Sequence, residues 1–240
     1  VLSNGIQYWT VPETKTYRFT LAGAGSFNNS SLNPIKVGYG FVMTVSYSLT
    51  KGQRIAILVG QRGLNDADAG GGTFVASVTG VGALSTATPL FVAGGAGGPG
   101  SSVKEYENLY VNGTSSGGVG PNGGNLSNSG DNFADSGAGF SGNGALNTDL
   151  GGEPSDVPKS FKNGGTGGRN NGQGGFGGGA AGGMAWWETS YTGGGGGGYG
   201  GGGGGIFPGG GGGGGSYDVT GVYSGSATNS GQGYVTVTKM

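Results

Sequence analysis

The side chains able to do chemistry in this chain are few, and none falls into a catalytic spacing. Cysteine and histidine are absent from the 240 residues, which removes disulfides, thiolate and imidazole metal sites and every histidine-based triad. Asp66 with Asp68, and Asp131 with Asp135, are spaced to offer oxygen ligands to a hard cation such as calcium, with solvated loop carboxylates as the plainer reading. Asp149 with Glu153 has the composition of an acid–base pair but no cleft-forming context around it. A G-x-G-x-x-G match carries no weight here, because the glycine content alone generates roughly five by chance. The phosphate-loop motif does not occur. No catalytic residue, cofactor or metal is expected, and the chain reads as a non-enzyme.

Residues suited to recognition are more numerous. Asn-x-Ser/Thr acceptors begin at Asn28, Asn29, Asn112 and Asn125. Asn112-Gly113-Thr114 lies in a polar stretch and carries threonine, which makes it the foremost glycan site of a secreted protein. Trp186, Trp187, Glu188 and Tyr191 gather beside the longest glycine run and are the candidates for binding a partner. Neighbours on an extended chain point to opposite faces, so one tryptophan can serve the core while the other stays open, with Glu188 placed for a basic surface. A formal net charge of −1 provides no electrostatic reason to expect nucleic acid or an anionic membrane. The stretch 168–179 (GRNNGQGGFGGG) shares composition with RGG-type RNA-binding tails, yet holds one arginine, Arg169, where such tails need many. No uninterrupted apolar run reaches the roughly 20 residues that insertion into a bilayer needs. The first residue is Val1, so an initiator or signal peptide is expected to be missing, either through processing or because the sequence begins at a chosen boundary.

The elements that must position these residues are organised around 193–215, GGGGGGYGGGGGGIFPGGGGGGG. Glycine loses more conformational freedom on folding than any other residue, so blocks of it usually make flexible linkers. The interruptions Tyr199, Ile206 and Phe207 are instead large and apolar, as pegs for burial would be. An extended three-residue helix of polyproline II geometry has no internal hydrogen bonds, so buried strands of this kind must satisfy one another across their backbones. Only glycine lets backbones approach that closely. A bundle of polyglycine II helices is therefore expected, with an interior glycine such as Gly212 unable to accept a side chain.

The first hundred residues read as strands. Alternation is clear at 17–21 and at 37–50, where Phe41, Met43, Val45, Tyr47 and Leu49 share one face. Further strands are predicted at 6–11, at 54–59 (as a hairpin partner of 37–50 across Lys51-Gly52-Gln53), at 73–79 with 89–93, and at 234–238. Glycine clusters abut these strands directly, as in AGGGTFVA and FVAGGAGGPG, either as ordinary loops or as strands feeding polyglycine helices. The fold expected is all-β: an antiparallel jelly-roll sandwich interlocked with the polyglycine bundle as one unit over 1–240. Residues 1–99 and 231–240 supply the sandwich, and 100–230 mainly the bundle and polar loops.

In that order the motifs IQYWTVPETKTYRFTLAGAG (6–25), RIAILVGQRG (54–63), GGGTFVA (70–76), PLFVAGGAGG (89–98), WWETSYTGGGGGGYGGGGGG (186–205) and GQGYVTVTKM (231–240) resemble the glycine-rich extracellular domain of the receptors anaplastic lymphoma kinase and leukocyte tyrosine kinase. The resemblance implies a tumour-necrosis-factor-like sandwich carrying polyglycine helices, an extracellular or cell-surface location, and a small protein ligand met near Trp186-Trp187-Glu188. The vertebrate members carry cysteines, which this chain lacks, and 108–159 has no counterpart. A looser similarity, to glycine-rich adhesins at bacteriophage tail-fibre tips, bears on architecture alone. Two functions follow as expectations: a receptor-type module binding a protein, or a structural subunit assembling with copies of itself through its strand-prone N-terminus, 1–11.

Overall fold

The computed structural model describes residues 1–26, 38–100, 122, 124, 134–147, 156–170, 172–184, 191–206, 209–221 and 224–240. Two antiparallel sheets build an all-β, sandwich-like fold. One runs in the order β1 (Leu2–Ser3), β2 (Ile6–Thr10), β5 (Arg54–Leu58), β6 (Thr73–Val78), β7 (Thr88–Ala93), β10 (Tyr217–Asp218). The other runs β11 (Ser224–Asn229), β4 (Gly40–Leu49), β3 (Lys15–Ala22), β12 (Tyr234–Lys239). A third, two-stranded ribbon pairs β8 (Gly183–Met184) with β9 (Tyr191–Thr192). The β1–β2 turn places Asn4 and Gly5 at φ 49° and 78°, the positive pair that a tight two-residue hairpin requires. Among the described residues no helix is long and apolar enough to cross a membrane.

The alternation predicted over 37–50 holds within Gly40–Leu49, where Phe41, Met43, Val45 and Leu49 are buried and Tyr47 is half-buried; Val37 lies outside the described residues. Its expected pairing does not. β4 lies between β3 and β11, and β5 lies between β2 and β6, so neither has a free edge for the other. The turn at Lys51-Gly52-Gln53 carries the chain from one sheet to the facing one. Phe19, Leu21 and Met43 of the four-stranded sheet meet Ile55, Val75 and Phe91 of the six-stranded sheet in a shared core.

The six-stranded sheet has a second buried face. Tyr8, Leu58, Phe74 and Val92 point away from the first core and pack with Phe140 and Phe161. An aromatic column crosses this face from Phe74 to Phe161 (5.2 Å between centroids), Phe140 (5.0 Å), Tyr199 (6.3 Å) and Tyr217 (4.3 Å). Burial on both sides explains why Arg54–Leu58 and Thr73–Val78 read as near-continuous apolar runs rather than alternating ones. Tyr199 thus acts as a peg, half-buried at the foot of the column. Ile206 does not: it is 52% exposed, and Phe207 lies outside the described residues.

Beyond the strand ends the sheets continue as glycine-rich segments that bond backbone to backbone. Gly23 and Ala24 extend β3, residues 69–72 precede β6, and 94–98 follow β7. Ala24 N–H donates to Gly71 O at 3.0 Å, and Ala96 N–H donates to Ala24 O at 2.9 Å. Facing sheets normally stand about 10 Å apart because side chains separate them; here the two layers converge to hydrogen-bonding distance.

Segment 193–198 lies at the centre of this region, and its donors repeat every third residue. Gly193 and Gly196 donate to Gly209 O and Gly212 O; Gly194 and Gly197 donate to Ala67 O and Gly70 O; Gly195 and Gly198 donate to Asp135 O and Ala138 O, all at 2.8–3.2 Å. Its carbonyls accept in turn from Gly205 and Gly202, from Gly98 and Gly95, and from Ala180. Every residue of the segment is buried.

The consequence of a side chain differs along the glycine blocks. A Cβ on Gly196 would lie 2.5 Å from Gly95 O and 2.8 Å from Ala96 O. Gly212, by contrast, is exposed, and a Cβ there would meet nothing closer than Gly203 N at 3.2 Å. Gly212 is thus a tolerant position, contrary to expectation, because it faces outward from the segments it bonds. In denaturant unfolding Gly196→Ala is expected to lose about 2–5 kcal/mol through overpacking and stranded amides. Gly212→Ala should lose less than about 1 kcal/mol; equal effects at the two positions would contradict this packing.

Candidate functional site

Two buried carboxylates organise the described part of the glycine region. The turn from Asn65 to Asp68 closes with Asp68 N–H donating to Asn65 O at 3.2 Å. Ala67 takes φ 67°, a left-handed conformation that costs a non-glycine residue about 1–2 kcal/mol. Its carbonyl accepts from Gly194 N–H at 3.0 Å, so the turn joins the central segment directly.

The Asp68 side chain, fully buried, accepts from four donors: Asn65 N–H (2.8 Å), Asn65 Nδ2 (3.1 Å), Gln173 N–H (2.9 Å) and Gly182 N–H (2.9 Å). One carboxylate therefore ties together a loop after β5, a hairpin near 173 and the residue preceding β8. Burial raises its pKa, opposed by those four hydrogen bonds. Asp68 is a clamp for backbone amides, which is why its pairing with Asp66 as cation ligands finds no support in the geometry. Among the described residues no three His, Cys, Asp or Glu side chains gather where they could hold a metal ion.

Asp135 is the second such group, 1% exposed. Its backbone carbonyl accepts from Gly195 N–H, Oδ1 accepts from Asn147 N–H at 2.7 Å, and Oδ2 accepts from Asn170 Nδ2 at 3.5 Å. Burial first, and the charge of Asp156 further, push its pKa up to about 6 against bonds that lower it.

Above the Asp68 clamp stands the ribbon. Gly183 pairs with Thr192 and Met184 with Tyr191, while Gly182 is held by Asp68 and Gly194 by Ala67. The predicted partner-binding residues Trp186, Trp187 and Glu188 belong to the six residues, 185–190, that connect these two strands, and they lie outside the described residues. Tyr191 is placed by its backbone opposite Met184. Asn28, Asn29, Asn112 and Asn125, and the acids Asp131, Asp149 and Glu153, also lie outside the described residues. Nothing in the spacing around Asp68 points to this structural role, because its backbone-amide partners lie as far along the chain as Gln173 and Gly182. No known protein-family model matches the chain.

The two carboxylates respond differently to neutralisation. Asp68→Asn turns an NH₂ group toward amide donors and should cost about 2–4 kcal/mol in denaturant unfolding at neutral pH; a neutral result would refute the clamp. For Asp135 the folded state holds its proton more tightly than the unfolded state, so stability falls as pH rises between the ordinary aspartate value of 3.8 and about 6. Asp135→Asn should flatten this window by an amount on the order of 2–3 kcal/mol; an unchanged pH profile would contradict the assignment.

Proposed function

We propose that this protein is a non-enzymatic binding module of the cell surface or extracellular space, recognising a protein partner through the 185–190 connection of the β8–β9 ribbon. The carrying observation is that ribbon: both strands emerge from buried, hydrogen-bonded glycine segments, and Asp68 and Ala67 hold the residues flanking them. A rigid base lowers the ordering cost of binding, since less freedom remains to be lost on association. Trp186, Trp187 and Tyr191 supply aromatic anchors of the kind that dominate interfaces, and Glu188 supplies a charge for a basic partner.

The architecture in this proposal is a tumour-necrosis-factor-like jelly roll whose glycine region is a bundle of polyglycine II helices. The three-residue repeat of donors along 193–198 supports it, because an extended helix with three residues per turn presents its N–H groups in three directions. The resemblance to the glycine-rich domain of the anaplastic lymphoma kinase and leukocyte tyrosine kinase receptors points the same way, as do the acceptor sequences at Asn28, Asn29, Asn112 and Asn125 for an extracellular setting.

The second reading, a subunit that assembles with its own copies, draws on the outer edge of the six-stranded sheet. There β1 leaves Val1 81% and Leu2 69% exposed, and an open edge is a template for further strands. Size-exclusion chromatography with light scattering separates the two. A monomer at micromolar concentration is expected, and a polymer would overturn the receptor-type reading in favour of the fibre. Titration of the monomer against secreted proteins with basic surfaces should then lose at least about tenfold in affinity on Glu188→Lys. Unchanged affinity in both Glu188→Lys and Trp187→Ala would remove the ribbon from the interface.

A further inference from the structure

A cleft of about 1000 Å³ opens where the start of β2, the end of β5, the turn before β12, Asp156 and residues 166–169 and 173–176 meet. Four glutamines line it: Gln7, Gln61, Gln173 and Gln232. Asp156, Arg169 and the half-buried ring of Phe176 complete the polar and aromatic surface. Among the described residues the side chains of Gln7, Gln61, Gln173, Asp156 and Arg169 form no hydrogen bond or ion pair with the protein. Gln232 accepts from Arg62 N–H through Oε1 at 2.8 Å, which leaves Nε2 as a donor.

The walls are fixed by backbone bonds rather than by these side chains. Gln61 N–H donates to Phe176 O at 2.8 Å, Gly233 N–H to Gly60 O at 2.9 Å, and Arg169 N–H to Asp156 O at 2.8 Å. Phe176 is held against Gly5, where a Cβ would come 3.0 Å from the ring. A cleft whose frame is settled but whose amides are uncommitted is built to bind.

We infer that this cleft is a carbohydrate-binding site for a neutral oligosaccharide. Each amide offers both donors and acceptors, which is what a sugar hydroxyl demands on its two sides. Asp156 and Arg169 cancel in charge, so the lining favours neither an anion nor a cation. The apolar C–H face of a pyranose suits the negative face of one aromatic ring, the part Phe176 plays. The volume stands at the upper end of the roughly 300–1000 Å³ usual for ligand sites, room for several sugar rings in a row. Hydrolysis is not implied: cleaving a glycosidic bond takes two flanking carboxylates, and among the described lining residues the carboxylate is Asp156, while Asp135 is buried and does not line the cleft. The site uses none of the residues assigned to the protein partner and stands independently of that reading.

Titration calorimetry of the whole protein with cello-, malto-, manno-, xylo- and chitohexaose, and with a heparin hexasaccharide as the charged comparison, tests the assignment. At least one neutral hexasaccharide should bind. The double variant Gln7→Ala/Gln61→Ala, altering two exposed side chains outside the protein's own bonding, should bind it about tenfold or more weakly. Trp186→Ala/Trp187→Ala should leave that affinity unchanged, which separates this cleft from the ribbon. Absence of binding by every neutral hexasaccharide at millimolar concentration, binding of the heparin fragment alone, or full affinity in the double variant would each overturn the inference.

Discussion

A run of glycines has nothing to bond with except its own backbone, and that constraint governs the rest of this structure. Each buried N–H and C=O of 193–198 must find a partner on another segment, because an unpaired one carries the full cost of desolvation. Donors directed at three segments in turn, with acceptors answering from others, satisfy that demand only if the neighbours are already in place. Glycine cannot supply that order by itself, since it has the most freedom to lose. The order comes from the sheets.

β6 and β7 are adjacent strands, so the segments that precede and follow them, 69–72 and 94–98, arrive side by side: Gly70 N–H donates to Ala96 O at 2.8 Å. β10 pairs with β7, and the chain entering it, 209–215, lies beside the same extension, with Gly214 N–H donating to Gly95 O. The four-stranded sheet contributes Ala24 across the gap. The glycine region is thus the sandwich carried past the point where side chains keep its layers apart. In exchange it covers the outer face of the six-stranded sheet, where Phe140 and Phe161 dock on Phe74 and Tyr199 packs on Phe140. Sheet and glycine segments stabilise each other, and the same network anchors the base of the β8–β9 ribbon through Asp68 and Ala67.

Much of this was legible in the sequence where side chains report on their surroundings. The alternation of 37–50 and of 234–238 identified half-buried strands, and glycine blocks broken by large apolar residues marked a packed region rather than a linker. Strand pairing was less legible, because the pattern of β4 shows that one face is buried but not which neighbour occupies each edge. The outward face of Gly212 was hidden for a simpler reason: identical residues carry no periodicity, so nothing distinguishes it from Gly196. The roles of Asp68 and Asp135 were equally obscure, since their partners are backbone amides from residues as distant as Gly182 and Asn147, which leave no mark on composition. The cleft went unread because its four glutamines come from four separate parts of the chain.

The central claim is that consecutive glycines of one segment bond in rotation to different neighbours. Scalar couplings transmitted through N–H···O=C bonds, measured by NMR between amide nitrogen and acceptor carbonyl carbon, test it most directly. The account predicts correlations from Gly193 to Gly209, from Gly194 to Ala67 and from Gly195 to Asp135, repeating three residues on at Gly212, Gly70 and Ala138. Amides of 193–198 that show no such couplings and exchange with water as an unstructured chain does would contradict it.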